Sequence, residues 1–344
     1  MLVSSIPQQV GQNTAIQPIT SQMNFGQLVG RVNGWNPSVS ASVVQNVCND
    51  IVRRVYDRRS GRWYGLMVKG NIIAPGIYNT GTVSLTYGSN VVVGTGTAFT
   101  PSLVNQQLRL GFTSPIYTIT AFIDATHLQL ELPWGMPTQL STGYYITQYL
   151  YQFSNLRGFY SVKNIQMMFR MAHVTQSLLE NWDPSRLQML FPYCVAGSVP
   201  SASGQFSCEL WPVPSNQQAY PYIGWAQPSN LVNDLDNLPA FIRGDIIELG
   251  AIAEVLLYKP KGNPNYSENL ALEMSKRFTG MFESELQHTM EVDEGLFRQN
   301  IETWAEMMPT AMVDWNSGAY LGSGGGGFLA AMSPVGAWNS NWDY

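Results

Sequence analysis

The stretch Val91–Thr100, VVVGTGTAFT, sets three valines before two glycines that alternate with threonines. A strand feeding a glycine loop begins many phosphate sites, because backbone amides at a helix N-terminus or in a nest then face the anion. Here the third glycine of a dinucleotide fingerprint is missing, and so is the Gly-Lys-Ser/Thr of a P-loop. The following TPSLVNQQLRL returns to strand, so the glycines read as a turn between strands. His127, His173 and His288 are scattered, with no i,i+4 metal pair. The acidic run Glu283, Glu285, Glu291, Asp293 and Glu294 lacks a calcium-loop pattern and reads as a solvated face. Cys48, Cys194 and Cys208 form no C-x-x-C pair and fit no zinc spacing, so they read as small buried hydrophobes in a chain matured in a reducing cytosol. There is no G-x-S-x-G elbow, and Ser323 lies in a glycine linker. No nucleophile, base and oxyanion site assembles. The expectation is a non-enzyme with no catalytic residue, cofactor or metal.

The totals point the same way. Charged residues make up 12% of the 344, about half the usual share. Gly, Pro, Ser, Thr, Asn and Gln replace them, and such a surface suits packing against copies or partners. The net charge of −5 provides no strong basic face for nucleic acid. The first charge is Arg31, the early apolar residues are interrupted by polar ones and Pro, and no run reaches the roughly 18 apolar residues of a membrane span. Residues 1–23 therefore read as an extended arm of a soluble protein.

Elements must hold these residues in place. In NPSVSASVVQNVCNDIVRRVYDRRS, Asn36 reads as the N-cap and Pro37 as the first helical residue. Val44, Val47, Cys48, Ile51, Val52 and Val55 give one apolar stripe. Arg53, Arg54, Arg58 and Arg59 crowd the helix end, either as a solvated terminus or as a contact to an acidic partner or a DNA backbone. From Gly70 to Leu108 there is no charged residue. Short Val/Ile/Thr/Tyr runs with turn signals every 8–12 residues predict a small all-β barrel or sandwich inserted over 70–150. Residues 151–195 fit strand or helix. The aromatic stretch QFSCELWPVPSNQQAYPYIGWAQP predicts a hairpin turning at Ser215–Gln218. A buried helix is expected over 240–259, and another from Ser267 to Met290 with Leu270, Met274, Phe278, Met281, Phe282 and Leu286 inward, the two antiparallel. Residues 296–344 hold four of the ten tryptophans and a glycine linker, which suits a tail that orders on another surface.

Four stretches together resemble the head-to-tail adaptor (head-completion, connector or neck) proteins of tailed bacteriophages: FGQLVGRVNGWNPSVSASVVQNVCNDIVRRVYDRRSGRWY, NWDPSRLQ, CELWPVPSNQQAYPYIGWAQPSNLVNDLDNLPAFIRGDIIELGAIAEVL, and the GTGTAF-bearing β stretch. The likeness covers about residues 24–290; the uncharged N-terminal arm and the aromatic tail depart from it. It implies an α+β fold in which a helical adaptor core (24–69 and 151–295, a helix bundle with a small antiparallel sheet or hairpin) carries the inserted β-module, with arms at both ends. It also implies a homo-oligomeric ring, usually of twelve subunits, docked on the portal protein at the capsid vertex of a virion assembled in the host cytoplasm. Such a ring extends the channel for genomic DNA, reads no base sequence, and binds a distal tail or neck protein; no membrane is involved. On composition, Phe297, Trp304, Met307, Met308, Trp315, Phe328, Trp338, Trp342 and Tyr344 are the expected portal contacts. Arg53, Arg54, Arg58, Arg59, Glu283 and Glu285 are the expected subunit or channel contacts. Two rival readings are another virion part (tail tube, baseplate or fibre anchor) and a carbohydrate-binding module using exposed Trp and Tyr.

Overall fold

The computed structural model describes residues 23–111, 114–198, 205–258, 267–302, 310–313 and 320–323. Five α-helices lie among them: α1 (Phe25–Asn33), α2 (Ala41–Arg58), α3 (Gln176–Trp182), α4 (Gly244–Val255) and α5 (Glu268–Phe297). The strands are β1 (Met67–Pro75), β2 (Thr82–Leu85), β3 (Val91–Thr95), β4 (Gln107–Arg109), β5 (Tyr117–Asp124), β6 (His127–Leu130), β7 (Gln139–Thr142), β8 (Tyr145–Thr147), β9 (Leu150–Phe153), β10 (Leu156–Asn164), β11 (Phe169–Arg170), β12 (Ala172–Thr175), β13 (Met189–Leu190), β14 (Cys194–Ser198), β15 (Phe206–Trp211), β16 (Val213–Pro214), β17 (Gln217–Ala226), β18 (Ala311–Val313) and β19 (Tyr320–Ser323). The chain divides into two compact units, Met1–Arg58 with Ser229–Val292, and Arg59–Pro228 with Asp293–Tyr344.

The first unit is helical. Asn24 opens α1 with a capping box: its Oδ1 accepts from Gln27 N at 2.8 Å, and Gln27 Oε1 accepts from Asn24 N at 3.1 Å. Phe25, Leu28, Val29 and Val32 then fall on one buried face. The stripe of α2 is buried as its spacing predicts, but the helix starts at Ala41, not at Pro37. Asn36 has another task. Its buried Nδ2 donates to Val255 O (3.1 Å) and Tyr258 O (3.0 Å), supplying donors that the end of α4 lacks. Helix α4 is shorter than the expected 240–259, because a turn from Pro239 to Ile242 precedes it and turn bonds from Leu257 N to Glu254 O and from Tyr258 N to Val255 O close it. Ser275 Oγ of α5 donates to Ala253 O at 2.7 Å, and a Cβ at Gly250 would press on Phe282, so α4 and α5 run antiparallel in close contact. Ala271, Ser275, Phe282 and Leu286 form the inward face of α5, whereas Leu270 and Met281 of the expected stripe stand 57% and 45% exposed.

The second unit is β-rich, and it overturns the expected helical adaptor core with an inserted barrel. The chain is α+β, but 59–75 and 151–226 are mainly strands. β1 pairs with β17 residue for residue from Met67↔Trp225 to Pro75↔Gln217. One four-stranded sheet is ordered β1-β17-β10-β11 and another β12-β14-β15-β9. Both contribute to one core that includes Ile72, Phe159, Val162, Val195, Leu210, Trp211 and Tyr220. The ambiguous 151–195 segment resolves mainly to strands. β10 buries Leu156, Phe159 and Val162, a three-residue spacing that a helix would also bury, because register shifts between Leu156/Gly158 and Phe159/Ser161 in its pairing with β17 break the two-residue alternation. The expected hairpin does not form either. β15 and β17 join different sheets, and Pro212 and Pro214 between them lack the amides a continuous ladder needs.

The remaining large sheet has seven strands, β7-β2-β3-β6-β5-β4-β8, and curls into a half-barrel. Its outermost strands, β7 and β8, are separated by only Gly143 and Tyr144. Tyr78 and Ile146 exchange backbone hydrogen bonds of 2.9 and 2.8 Å, and Tyr144 Oη donates to Thr80 O at 2.6 Å, which holds the curl. Val83, Leu85, Val92, Leu108, Ile119, Leu128 and Ile146 fill its own core. The sheet belongs to the same compact unit as the other two, and β1, expected at its start, lies in the β17 sheet instead.

Candidate functional site

VVVGTGTAFT is a strand and its turn. β3 ends at Thr95, Gly96 takes φ +69°, and Thr97 Oγ1 donates across the turn to Ala125 O at 3.1 Å. Gly94 lies against Thr97 and Phe99, with no room for a Cβ. The next helical piece, Pro101–Leu103, is one short 3₁₀ turn.

The arginines expected at subunit or channel contacts are engaged inside their own units. In the helical unit Arg54 reaches Glu254 at 2.6 Å, Arg58 reaches Glu283 at 2.6 Å, and Arg53 lies 3.7 Å from Asp50. Arg243 pairs with Asp245 at 2.5 Å and Glu285 at 3.4 Å, and Arg31 pairs with Glu248 at 3.2 Å. The carboxyl of Asp245 is held below its usual range, first by the Arg243 hydrogen bond. In the β-rich unit Arg59 pairs with Asp293 and Glu294 and lies over the Trp63 ring. Asp293 is buried and accepts from Tyr64 N (2.9 Å) and Gly65 N (3.3 Å); burial raises its pKa against those contacts. Four of the five residues of the acidic run thus pair with arginines of their own unit, and Glu291 accepts from Gln287 Nε2 at 3.1 Å.

Of the expected portal contacts, Phe297 lies in α5 rather than in a tail, and its ring meets Tyr160 edge-on at 5.4 Å. Trp304, Met307, Met308, Trp315, Phe328, Trp338, Trp342 and Tyr344 lie outside the described residues. The histidines are dispersed. His127 pairs with Asp124 at 2.9 Å, a hydrogen bond that brings Asp124 down to about 2. Both ring nitrogens of His173 are shielded from solvent, and burial lowers its pKa to about 4. Cys48, Cys194 and Cys208 are free and buried, and burial pushes the Cys48 thiol up to about 12. Among the described residues no group of His, Cys, Asp and Glu is arranged to hold a metal ion, and no helix is long and apolar enough to cross a membrane.

The densest polar cluster escaped the sequence reading. Arg186, with φ +50°, is 4% exposed. Its Nε donates to Glu209 at 2.8 Å, its Nη2 to Glu180 at 2.7 Å, and its Nη1 to Asp183 O at 2.6 Å. Burial opposes the Arg186 charge, but the two glutamates outweigh it and raise its pKa; burial raises that of Glu209. Asp183 accepts from Leu187 N (2.7 Å), Gln188 N (2.9 Å) and Trp211 Nε1 (3.2 Å). Arg109, on β4 of the half-barrel, donates through Nη1 to Ser185 O (3.1 Å) and Arg186 O (3.2 Å). Its Nε and Nη2 are buried with no hydrogen-bond partner among the described residues, and burial lowers its pKa. The hint in the sequence was NWDPSR, an aspartate with a turn-forming proline and an arginine. The network fastens the half-barrel to the loop after α3. Its carboxylates are occupied by internal donors, an arrangement suited to holding a shape.

The surface is the other functional feature. Between Ile77 and Thr147 the chain has three charged residues, Arg109, Asp124 and Glu131, and Arg109 is buried. Tyr87, Leu132 and Leu140 are 69%, 62% and 75% exposed there. Neither protein-family models nor curated proteins match the chain.

Proposed function

We propose that the protein is a structural subunit of a tailed-phage virion that joins head to tail. Twelve copies form a ring beneath the portal protein, extend the DNA channel, and receive the next tail or neck protein. The observation that carries this reading is the half-barrel surface, nearly free of charge yet bearing large exposed apolar side chains. A lone soluble protein gains nothing from such a face, and a subunit buried among neighbours does. The internal pairing of the arginines adds support, because a duplex slides past neutralised cations without being gripped. The four adaptor-like stretches supply the specific assignment, and the aromatic tail remains the proposed portal contact.

The test is imaging of purified portal rings incubated with the full chain. Twelve-fold density beneath the portal is the expected result; no binding at all overturns the reading. A chain cut after Ser323, which keeps α5 whole and the buried Ala311 and Val313 of β18, should lose the portal, and portal-bound rings from it would remove the role of Phe328, Trp338, Trp342 and Tyr344. A second reading, a tail-tube, baseplate or fibre-anchoring part, draws on the β-rich character of the larger unit. Three- or six-fold assemblies would favour it.

A further inference from the structure

Two exposed apolar surfaces of the β-rich unit remain without a partner among the described residues, and each is built on stiff backbone. The first is one rim of the half-barrel, where the β2–β3 and β6–β7 connections meet. Tyr87, Leu132 and Leu140 stand exposed on it, with Pro133 and Pro137 beside them. The connections are tied together: Gly88 N to Trp134 O at 2.8 Å, Trp134 N to Ser89 O at 2.8 Å, and Tyr87 N to Thr138 Oγ1 at 3.1 Å. Trp134 itself is buried, with Nε1 donating to Pro137 O at 3.0 Å. Among residues 86–90 and 131–140, which form this rim, Glu131 is the only charged one.

The second surface is the turn between β10 and β11. Ile165, Met167 and Met168 are 56%, 39% and 70% exposed at its tip. Fully buried Asn164 pins the turn, accepting from Met167 N at 3.1 Å and donating to Pro192 O at 3.2 Å. Met168 holds φ +55°, a left-handed conformation that favours Gly or Asn. An unbranched apolar side chain kept there, at a local cost, and turned to solvent is a feature of a contact surface. Lys163 and Arg170 face each other across the strand pair at the base of this turn.

We infer that the Ile165–Met168 turn of one copy docks on the Tyr87/Leu132/Leu140 rim of the next. Charge favours the pairing: Lys163 flanks the turn and Glu131 the rim, so turn-to-rim attracts while turn-to-turn repels. Two different patches in contact make a heterologous interface, the type that closes into rings. Stiff backbone on both sides lowers the entropy lost on association. The inference deepens the ring proposed above and rests on that reading for its biological setting.

Sedimentation velocity on the free chain tests it. The wild type associates with rising concentration, and more weakly at high salt. Met168→Glu and Leu140→Glu each lower the association constant at least about tenfold, since each places a charge in the desolvated centre. Both positions are exposed, so thermal melting should show intact folding. Mixing the two variants restores one good contact per pair and gives a complex of two copies that cannot grow. A wild type that stays monomeric up to about 0.5 mM overturns the inference, as does either variant associating like wild type or a mixture that forms no complex. Portal binding is scored separately. A chain that self-associates this way but ignores the portal keeps the contact and removes the adaptor role, and one that binds the portal without the contact does the reverse.

Discussion

Arg186→Met removes a guanidinium and keeps a side chain of similar length in the same packing. Glu209, with its side chain 6% exposed, is then left as a buried carboxylate whose remaining donor is Gln176 Nε2 at 3.3 Å. Breaking one half of a buried ion pair costs about 3–5 kcal/mol. Asp183 O, which loses the guanidinium at 2.6 Å, keeps the backbone N–H of residue 186 at 3.0 Å, and half-exposed Glu180 regains water, so the buried Glu209 carboxylate carries the cost. For a unit of this size the melting temperature should fall by roughly 6–20 °C. The assay is thermal and urea unfolding followed by tryptophan emission, because Trp211 hydrogen-bonds Asp183 beside the pair and lies 5.4 Å from Trp182. The double variant Arg186→Met/Glu209→Leu removes both charges and should recover at least about 2 kcal/mol of the loss. A single variant that costs under about 1 kcal/mol, or a double variant equal to the sum of its singles, would refute the claim that the pair is coupled and holds this loop.

Four further outcomes follow from the same structure. The unfolded chain binds a proton at His173 near pH 6.5 while the folded chain resists it to about 4, so stability should fall as pH drops through that window, by roughly 2–3 kcal/mol; urea midpoints of wild type and His173→Phe at pH 7 and pH 5 should diverge, and parallel curves would count against it. Asn36→Leu should destabilise the helical unit by about 2–3 kcal/mol, seen as lost helical signal at lower urea, because the end of α4 loses two donors. Gly94→Ala should cost about 1–3 kcal/mol by pressing on Thr97 and Phe99, read as a lower melting temperature of the half-barrel. Arg58→Ala should cost less than about 1 kcal/mol, and less again in high salt, because both partners are about half exposed; a larger loss in a urea titration would contradict that.

The local code of the helices was legible. The apolar spacing of α2 matched its buried face, and the valine run of β3 with its glycine turn was read as it folds, because periodicity and φ preference act over a few residues. What each strand pairs with was not legible. β15 and β17 are neighbours in the chain yet enter different sheets, and β1 pairs with a strand about 150 residues away. Register is set by long-range ladders and a shared core, which single-chain spacing does not encode. The same limit hid the polar cluster. Asp183, Arg186 and Glu209 look like ordinary charged residues until the fold buries them against one another. Asn36 carried a capping signal in its sequence, but a stronger use for its amide lay 219 residues along the chain, at Val255. Sequence alone determined a charge-poor, aromatic chain and the character of its local elements. The tertiary structure decided that the larger unit is built of sheets, that the arginines face their own carboxylates, and which apolar side chains are left exposed, since each of these depends on what distant residues bury.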